Sequence, residues 1–147
     1  MSYLLDANIL IYVHRAEDPH HAASLRWLQG VLAEGEQVYA SAMVEVALLR
    51  ITTNRRMGPS ASPPAAVFEL LNYLHALPNY SRLELEPGQY ERLEQLCQDL
   101  NLTGNDMNDA YLAALALEND LTLATADRGF SRFTGLKVLN PDSTLTP

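Results

Sequence analysis

The feature of this chain that most restricts its fold is a regular alternation between short apolar segments and longer helix-forming segments. Short runs with strand character occupy residues 2–6, 37–40, 81–85, 121–124 and 137–139. Helix-forming stretches occupy residues 8–15, 20–33, 41–53, 65–77, 89–100 and 105–118. Strands separated by helices imply a parallel sheet with helices on both faces. We therefore predict an α/β chain with three α/β/α layers and a central parallel sheet of about four or five strands.

Length and composition indicate one globular domain. A chain of 147 residues, 48% of them hydrophobic, is typical of one domain with one core. We expect that domain at residues 1–140 and a loose C-terminal tail at residues 141–147. No apolar run reaches the roughly 20 residues of a membrane span, and no basic region precedes the N-terminal apolar stretch. A single cysteine, Cys97, excludes an internal disulfide and fits a reducing compartment, so we expect a cytoplasmic protein.

Four acidic residues interrupt or end apolar segments that are far apart in the chain. Asp6 ends LLD, Glu45 lies in SAMVEVALLR, Asp109 opens DAYLAALAL and Asp127 closes LTLATAD. A carboxylate beside a buried segment is costly to desolvate unless something compensates its charge. Ligands of parallel sheets bind beyond the carboxyl ends of the strands. We therefore predict that the four carboxylates meet at one edge of the sheet and share one compensating cation.

Each of these carboxylates also has a structural interpretation when it is considered alone. Asp6 can cap the next helix, Asp127 can be a turn residue, and Glu45 is favoured near a helix N-terminus. Asp109 is harder to explain, because the residues three and four positions on from it are apolar. Asp106 lies one turn earlier within TGND, which resembles a capping box, so it is assigned an auxiliary role at most.

The types of ligand indicate the chemistry. Oxygen ligands without His or Cys favour Mg²⁺ or Mn²⁺ over zinc. One or two such ions could activate a water for attack on a phosphodiester and stabilise the leaving oxygen. The short polar residues Asn8 and Thr125 stand beside Asp6 and Asp127, and we expect them to orient the carboxylates from outside the ligand shell.

Other reactive residues indicate no second chemistry. His14 and His75 are isolated in the sequence, and both are predicted at the surface. Cys97 lies in the helical segment RLEQLCQDL and is interpreted as a buried, inert thiol. The chain has no Gly-rich phosphate loop, no G-x-S-x-G and no C-x-x-C.

The charge balance limits how the chain can contact nucleic acid. Ten Lys and Arg against 18 Asp and Glu leave a net charge of −8, whereas phosphate contacts are made mainly by basic side chains. The basic residues are nevertheless clustered. Five arginines are candidates for RNA phosphate contacts: Arg50, Arg55, Arg56, Arg128 and Arg132. For any one of them, an ordinary solvated charge is an equally good interpretation.

Taken in order, these segments resemble a PIN-domain ribonuclease and, more narrowly, a VapC-type toxin of a type II toxin–antitoxin system. The segments that carry the resemblance are LLDANILIY, SAMVEVALLR followed by ITTNRR, DAYLAALALEND and LTLATADRGFSRFTGL. The resemblance covers nearly the whole chain. It implies an α/β/α fold, Mg²⁺- or Mn²⁺-dependent endoribonuclease activity on RNA, and a homodimer. It also implies a cognate VapB-type antitoxin that blocks the site and contributes the DNA binding, so that DNA is a partner only indirectly.

The resemblance also assigns residues. The family's catalytic and metal-ligating quartet falls on Asp6, Glu45, Asp109 and Asp127, and its polar helper positions fall on Asn8 and Thr125. Gly129 is a departure, because many relatives carry a further acidic residue there.

Two alternatives remain open at this stage. One is a PIN-domain nuclease with a housekeeping role in RNA processing and no antitoxin, and the other is a non-catalytic PIN-like binding module. A phosphatase of the haloacid dehalogenase type has less support, because Asp6-Ala7-Asn8 lacks the second aspartate of a D-x-D motif.

Overall fold

A computed structural model describes residues 1–143 of the chain. The strands within this range are β1 Ser2–Leu5, β2 Gln37–Ala40, β3 Tyr80–Arg82, β4 Thr122–Ala124 and β5 Lys137–Leu139. The α-helices are α1 Ala7–His14, α2 His21–Ala33, α3 Ala42–Thr52, α4 Pro64–His75, α5 Tyr90–Leu100 and α6 Asp106–Glu118. Short 3₁₀ helices occupy Arg55–Ser60, Pro87–Gln89 and Arg128–Arg132. The predicted alternation of strands and helices is confirmed.

The strands form one sheet in the order β3-β2-β1-β4-β5, and every neighbouring pair is parallel. Strand β1 is therefore central, and its residues Tyr3, Leu4 and Leu5 are buried. Such a continuous apolar strand is typical of a parallel sheet that is covered on both faces. Asp6 follows β1 directly, so it lies at the carboxyl edge of the sheet between the ends of β2 and β4.

Strand β3 is shorter than the sequence predicted. The backbone N–H of Leu85 donates to the hydroxyl of Tyr111 over 2.9 Å, instead of to a neighbouring strand. This bond ties the segment after β3 to helix α6. The pairing with β2 stops at Ala40, the last residue of that strand, which pairs with Arg82 and accepts from the backbone N–H of Leu83 at 3.1 Å. Strand β3 therefore ends at Arg82, at the same carboxyl edge as Asp6.

Helix α6 packs an almost wholly buried surface into the core. Its residues Ala110, Leu112, Ala113, Ala114, Leu115 and Ala116 are all buried. Small alanines let the helix approach the sheet closely, and the first turn of the helix, with Asp106 and Asp109, projects past the strand ends. Helix α6 thus carries two of the predicted acids to the edge where Asp6 lies.

The start of the predicted C-terminal tail is packed on the domain. Pro141 is buried, and the Asp142 Oδ2 atom lies 2.8 Å from His20 Nδ1. Residues 144–147 lie outside the described range. No helix in the described part of the chain is long and apolar enough to cross a membrane.

Candidate active site

Three of the four predicted acids lie together at the carboxyl edge of the sheet. Asp6 follows β1, Asp127 follows β4, and Asp109 is in the first turn of α6. Asp6 and Asp109 line a common cavity of about 210 Å³ between α3 and α6. The predicted convergence of distant carboxylates therefore holds for Asp6, Asp109 and Asp127, which we call the acidic cluster.

Asp6 is held by a set of hydrogen bonds that joins the ends of two strands. Its Oδ1 accepts from the backbone N–H of Ala7 at 2.7 Å, and its Oδ2 accepts from the Thr125 hydroxyl at 2.7 Å and from Asn8 Nδ2 at 3.3 Å. Thr125 Oγ1 also accepts from the backbone N–H of Asp127 over 3.0 Å. Asp6 is thus both a helix cap and a member of the cluster. Asn8 and Thr125 have the contacts that the sequence predicted for orienting residues.

The acidic cluster concentrates negative charge. Burial raises the pKa of Asp6, the hydrogen bonds from Thr125 and Ala7 lower it, and the charge of Asp127 raises it again. Burial also raises the pKa of Asp109, and so do the nearby charges of Asp127 and Asp6. The carboxylates therefore destabilise one another when they are ionised, and a cation would relieve this repulsion.

Asp109 is paired with an arginine of the chain itself. Arg132 Nη2 lies 3.0 Å from Asp109 Oδ2, and Arg132 Nη1 lies 3.5 Å from Asp106 Oδ1. The capping-box prediction for Asp106 is wrong. Asn105 is the helix N-cap and no side chain caps the helix, so the side chain of Asp106 is left to contact Arg132.

Asp127 sits in a tight turn. Its Oδ1 accepts from the backbone N–H of Gly129 at 2.8 Å and caps the 3₁₀ helix that follows. A Cβ atom on Gly129 would lie 3.0 Å from that same oxygen, which is closer than side chains tolerate without a shift. Gly129 therefore leaves room for the Asp127 carboxylate in this orientation, and the turn offers one acidic side chain instead of two.

Glu45 has a different environment from the one that the sequence predicted. Its side chain is 3% exposed, and its Oε2 accepts from Tyr80 OH at 2.9 Å and lies 2.5 Å from His75 Nε2. Its Oε1 accepts from Arg82 Nε at 3.1 Å and from Arg82 Nη2 at 2.5 Å. Glu45 does not line the cavity that holds Asp6 and Asp109, and its charge is not among the causes that shift the pKa of either aspartate. The placement of Glu45 beside the metal is therefore corrected.

The helical period explains why Glu45 departs from the group. Residues Met43, Ala47 and Arg50 of α3 line the cavity with Asp6. Successive residues of an α-helix are rotated by about 100°, so a residue two positions away points to the opposite side. Glu45 is two positions from both Met43 and Ala47, and it therefore faces β3 and α4. The position of Glu45 along α3 is suitable for the cluster, but its side chain points to the other side of the helix.

Glu45 is the buried centre of an ionic network whose basic members, His75 and Arg82, are about half exposed. Burial alone would raise the pKa of Glu45, but the hydrogen bonds from His75, Arg82 and Tyr80 lower it overall. Burial and the Glu45 charge raise the pKa of Tyr80. The network joins α3, α4 and β3. The prediction of His75 at the surface is confirmed, since its side chain is 41% exposed, and its ring also contacts the buried Glu45 carboxylate. No sequence signal paired His75 with Glu45, because 30 residues separate them.

The candidate RNA-contacting arginines fall into two groups. Arg50 lines the cavity with Asp6 and Asp109. Arg128 is exposed directly after Asp127. Arg132 is paired with Asp109. These three arginines, each placed differently, flank the acidic cluster and form one group. The other group is Arg55 and Arg56, which are exposed at adjacent positions of the first 3₁₀ helix.

The donor atoms of the cluster suit a hard divalent cation. Among residues 1–143, hydrogen bonds leave Asp109 Oδ1 and Asp127 Oδ2 without a donor. No group of three His, Cys, Asp or Glu side chains in that range is arranged to hold one ion directly. Mg²⁺ needs no such cage, because it keeps several waters and binds through one or two carboxylates. The carboxylate oxygens of the cluster are therefore of the type that Mg²⁺ and Mn²⁺ prefer.

Comparison with known proteins gives a consistent result. The family model for the PIN domain matches residues 3–136. Ribonuclease VapC43 of Mycobacterium tuberculosis is 35% identical over 93% of this chain and 93% of its own length. VapBC2 from Rickettsia felis, bound to a DNA fragment from its promoter, superposes with a TM-score of 0.67 at 19% identity, over 95% of this chain and 98% of the other. A toxin–antitoxin complex from Klebsiella pneumoniae gives a TM-score of 0.62 at 20% identity, over 95% and 97% of the chains. The two solved structures share the fold.

Proposed function

Since the chain belongs to the PIN-domain family and, within it, to the VapC ribonucleases, we propose that it is a divalent-metal-dependent endoribonuclease and the toxin of a toxin–antitoxin pair. The observation that carries the proposal is the meeting of Asp6, Asp109 and Asp127, from three distant segments, at the carboxyl edge of a parallel sheet. Ligands of such sheets bind at this edge. Mutual repulsion of the carboxylates provides the affinity for a cation that the reaction needs.

Residues of the chain have separate roles in this proposal. Asp6, Asp109 and Asp127 would hold Mg²⁺ or Mn²⁺, as one ion or two. A bound ion of this kind polarises phosphate oxygens and promotes attack of water on phosphorus. Thr125 and Asn8 fix the direction of Asp6 through hydrogen bonds, which is the usual role of residues behind a ligand. The bond from Thr125 also lowers the pKa of Asp6 against the larger effect of burial.

Basic residues beside the cluster would position the RNA. Arg50 and Arg128 lie next to the acids, and an arginine binds a phosphate with two parallel hydrogen bonds. The net charge of −8 means that these few cations, together with the metal, must supply the attraction for phosphate. We therefore expect RNA binding to weaken strongly when the metal is removed.

A direct test is cleavage of RNA by the purified protein. We expect cleavage with Mg²⁺ or Mn²⁺, none with excess chelator, and none for Asp6→Asn in either condition. Asp99→Asn is a matched control, because Asp99 is exposed on α5 and bonds to Gln95 and not to the cluster. Cleavage that persists with chelator, or in Asp6→Asn, would contradict the proposal. Mapping new RNA ends in cells that express the wild type and Asp6→Asn would identify the target.

The proposed antitoxin has a suitable binding surface. Helices α1, α2 and α4 enclose an apolar groove of about 460 Å³. Its apolar lining includes Val13, Leu25, Leu28, Leu32, Leu70, Tyr73, Leu74 and Leu77. Tyr73 is 64% exposed, which is unusual for a large side chain beside other apolar residues. We propose that an amphipathic helix of the VapB-type antitoxin covers this groove.

The antitoxin proposal predicts a gene for a small protein beside the gene of this chain, and co-expression of the two proteins tests it. We expect a stable complex that lacks ribonuclease activity, and we expect Tyr73→Glu to weaken the complex while RNA cleavage by the free toxin is retained. Tyr90→Glu, which changes another exposed tyrosine outside the groove, is the control. Equal binding by Tyr73→Glu and the wild type would reject this surface.

A further inference from the structure

Arg132 occupies a specific position against the acidic cluster. Its guanidinium lies 3.0 Å from Asp109 and 3.5 Å from Asp106. The same group stands over the ring of Phe133, with 5.1 Å from Cζ to the ring centroid. Phe133 is buried and packs against the ring of Phe130. The guanidinium is thus supported on one face by a fixed ring and directed at two carboxylates of α6.

This ion pair neutralises the ligand that the proposed metal would use. Of the three clustered acids, Asp109 is the one with an ion pair to a basic side chain in the described part of the chain. Arg132 occupies its Oδ2 and lowers the pKa that burial, Asp127 and Asp6 raise. An arginine remains charged at all ordinary pH values, so it competes with a divalent cation for the same carboxylate.

The pair is also weak enough to exchange. The Arg132 and Asp109 side chains are 34% and 29% exposed, and ion pairs at such partly solvated positions stabilise a protein only weakly. A divalent ion that binds Asp109 removes the charge that holds the guanidinium. Arg132 Nη2 would then lack its Asp109 partner at the edge of the metal site, while Nη1 stays beside Asp106. An RNA phosphate matches the free donors of the guanidinium in charge and in geometry.

We infer that Arg132 is the internal counter-ion of Asp109 in the metal-free protein, and that it exchanges this carboxylate for an RNA phosphate when the metal binds. The inference rests on the proposed function and adds a residue to it. Arg132 is then a substrate-positioning residue. In the metal-free protein it forms an ion pair with Asp109, which is a proposed metal ligand. Asp106 and the Phe133 ring keep the side chain near the site during the exchange.

Two measurements on Arg132→Gln test this inference. The first is Mn²⁺ affinity in the absence of RNA, from the free Mn²⁺ signal in electron paramagnetic resonance. The second is kcat/KM for RNA cleavage at saturating Mn²⁺. Arg92→Gln is the matched control, because Arg92 pairs with Glu118 at 3.4 Å, about 14 Å along α6 from Asp109 at 1.5 Å per residue. It makes the same change in net charge away from the cluster.

We expect the two quantities to move in opposite directions. Loss of the competing cation should tighten Mn²⁺ binding by about three-fold, the scale of an exposed ion pair. Loss of a charged hydrogen bond to phosphate should lower kcat/KM by about ten-fold or more. Arg92→Gln should leave both near the wild-type values, and Arg132→Lys should restore part of the cleavage, because it keeps the charge but not the two-pronged geometry.

Other outcomes overturn the inference. Weaker Mn²⁺ binding by Arg132→Gln would mean that Arg132 orients Asp109 for the metal instead of competing with it. Tighter Mn²⁺ binding with unchanged kcat/KM would show that Arg132 does not contact an RNA phosphate during cleavage. Both results presuppose that the wild type cleaves RNA with Mn²⁺. A wild type without such cleavage contradicts the proposed function itself, so the two failures are distinguishable.

Discussion

The hydroxyl of Thr125 donates a 2.7 Å hydrogen bond to Asp6 Oδ2, across 119 residues of sequence. The bond ties the end of β4 to the end of β1, and these strands are direct neighbours in the sheet. Thr125 is 1% exposed, so the bond is shielded from water and oriented by the core. The proposed metal ligand Asp6 is thus oriented by the segment after a second strand, which makes the direction of its carboxylate a property of the fold.

Thr125→Val should change the pH dependence of cleavage. The Thr125 hydrogen bond lowers the pKa of Asp6 against the effect of burial, so its removal should raise that pKa further. Metal binding needs the ionised carboxylate, and the acid side of the pH–rate profile should therefore move to higher pH. Thr125→Ser keeps the hydroxyl and should keep the wild-type profile. Identical profiles for all three proteins would show that Thr125 does not act on Asp6 in this way.

Glu45→Gln should lower stability and leave metal affinity unchanged. The substitution leaves Arg82 and His75 facing a neutral group, and we expect a loss of about 2 kcal/mol in the free energy of unfolding. Urea unfolding and Mn²⁺ titration measure the two quantities. A large loss of Mn²⁺ affinity at unchanged stability would contradict this prediction and would mean that Glu45 takes part in metal binding. Glu69→Gln is the control, because Glu69 is exposed on α4.

The contribution of Glu45 should also depend on pH. Its pKa in the folded protein is lowered from the ordinary value of 4.5. The unfolded chain therefore binds the proton more readily, and the stabilisation is complete above about pH 4.5 and is lost as the pH falls through the lowered folded value. Part of the acid sensitivity of the wild type should be missing in Glu45→Gln. Parallel stability–pH curves for the two proteins would contradict this assignment.

Metal should stabilise the protein through the acidic cluster. The raised pKa values of Asp6 and Asp109 mean that the metal-free folded state binds protons more readily than the unfolded chain. Its stability should therefore fall as the pH rises through those folded values. Mn²⁺ at about 100 times its Kd should add about 2.7 kcal/mol.

Asp109→Asn isolates that effect. Without metal it should be at least as stable as the wild type, because it removes charge repulsion, and it should lose most of the thermal shift with Mn²⁺. Differential scanning calorimetry with Mn²⁺ and with chelator measures both. An undiminished Mn²⁺ shift in Asp109→Asn would place the ion elsewhere.

Gly129→Ala should impair cleavage with little effect on stability. The new Cβ would lie 3.0 Å from Asp127 Oδ1, so the carboxylate of the exposed aspartate must shift by a few tenths of an ångström. A displaced carboxylate at the reacting centre should reduce kcat/KM by about three-fold. Gly88→Ala is the matched control, because a Cβ there meets no atom within 4 Å. Equal losses in the two variants would show that the turn geometry is not the cause.

The part of the site that could be predicted follows from strand ends. Asp6 and Asp127 come after apolar runs that are long enough for buried strands, and parallel strands bring their carboxyl ends to one edge. Asp109 was identified by the apolar residues around it on α6. Asn8 and Thr125 followed because they are short polar residues beside these ligands. All of these signals are local in the sequence.

The parts that could not be predicted depend on direction and on distant pairs. Glu45 points toward Tyr80, Arg82 and His75 because of the rotation of α3 against the sheet, which its sequence alone does not set. Arg132 reaches Asp109 across 23 residues, and no local pattern marks that pair.

The sequence by itself determined the alternation of strands and helices, the parallel sheet and the acids at its strand ends. These features depend on the spacing of apolar residues and on the residues that end each strand, and both are local properties of the sequence. Only the tertiary structure decided which carboxylates share a site. Helix α3 presents one side to the cavity with Asp6 and the opposite side to β3, and packing turned Glu45 to the second side. The role of a charged side chain depends on the atoms that surround it, and those atoms come from segments that meet only in the folded chain.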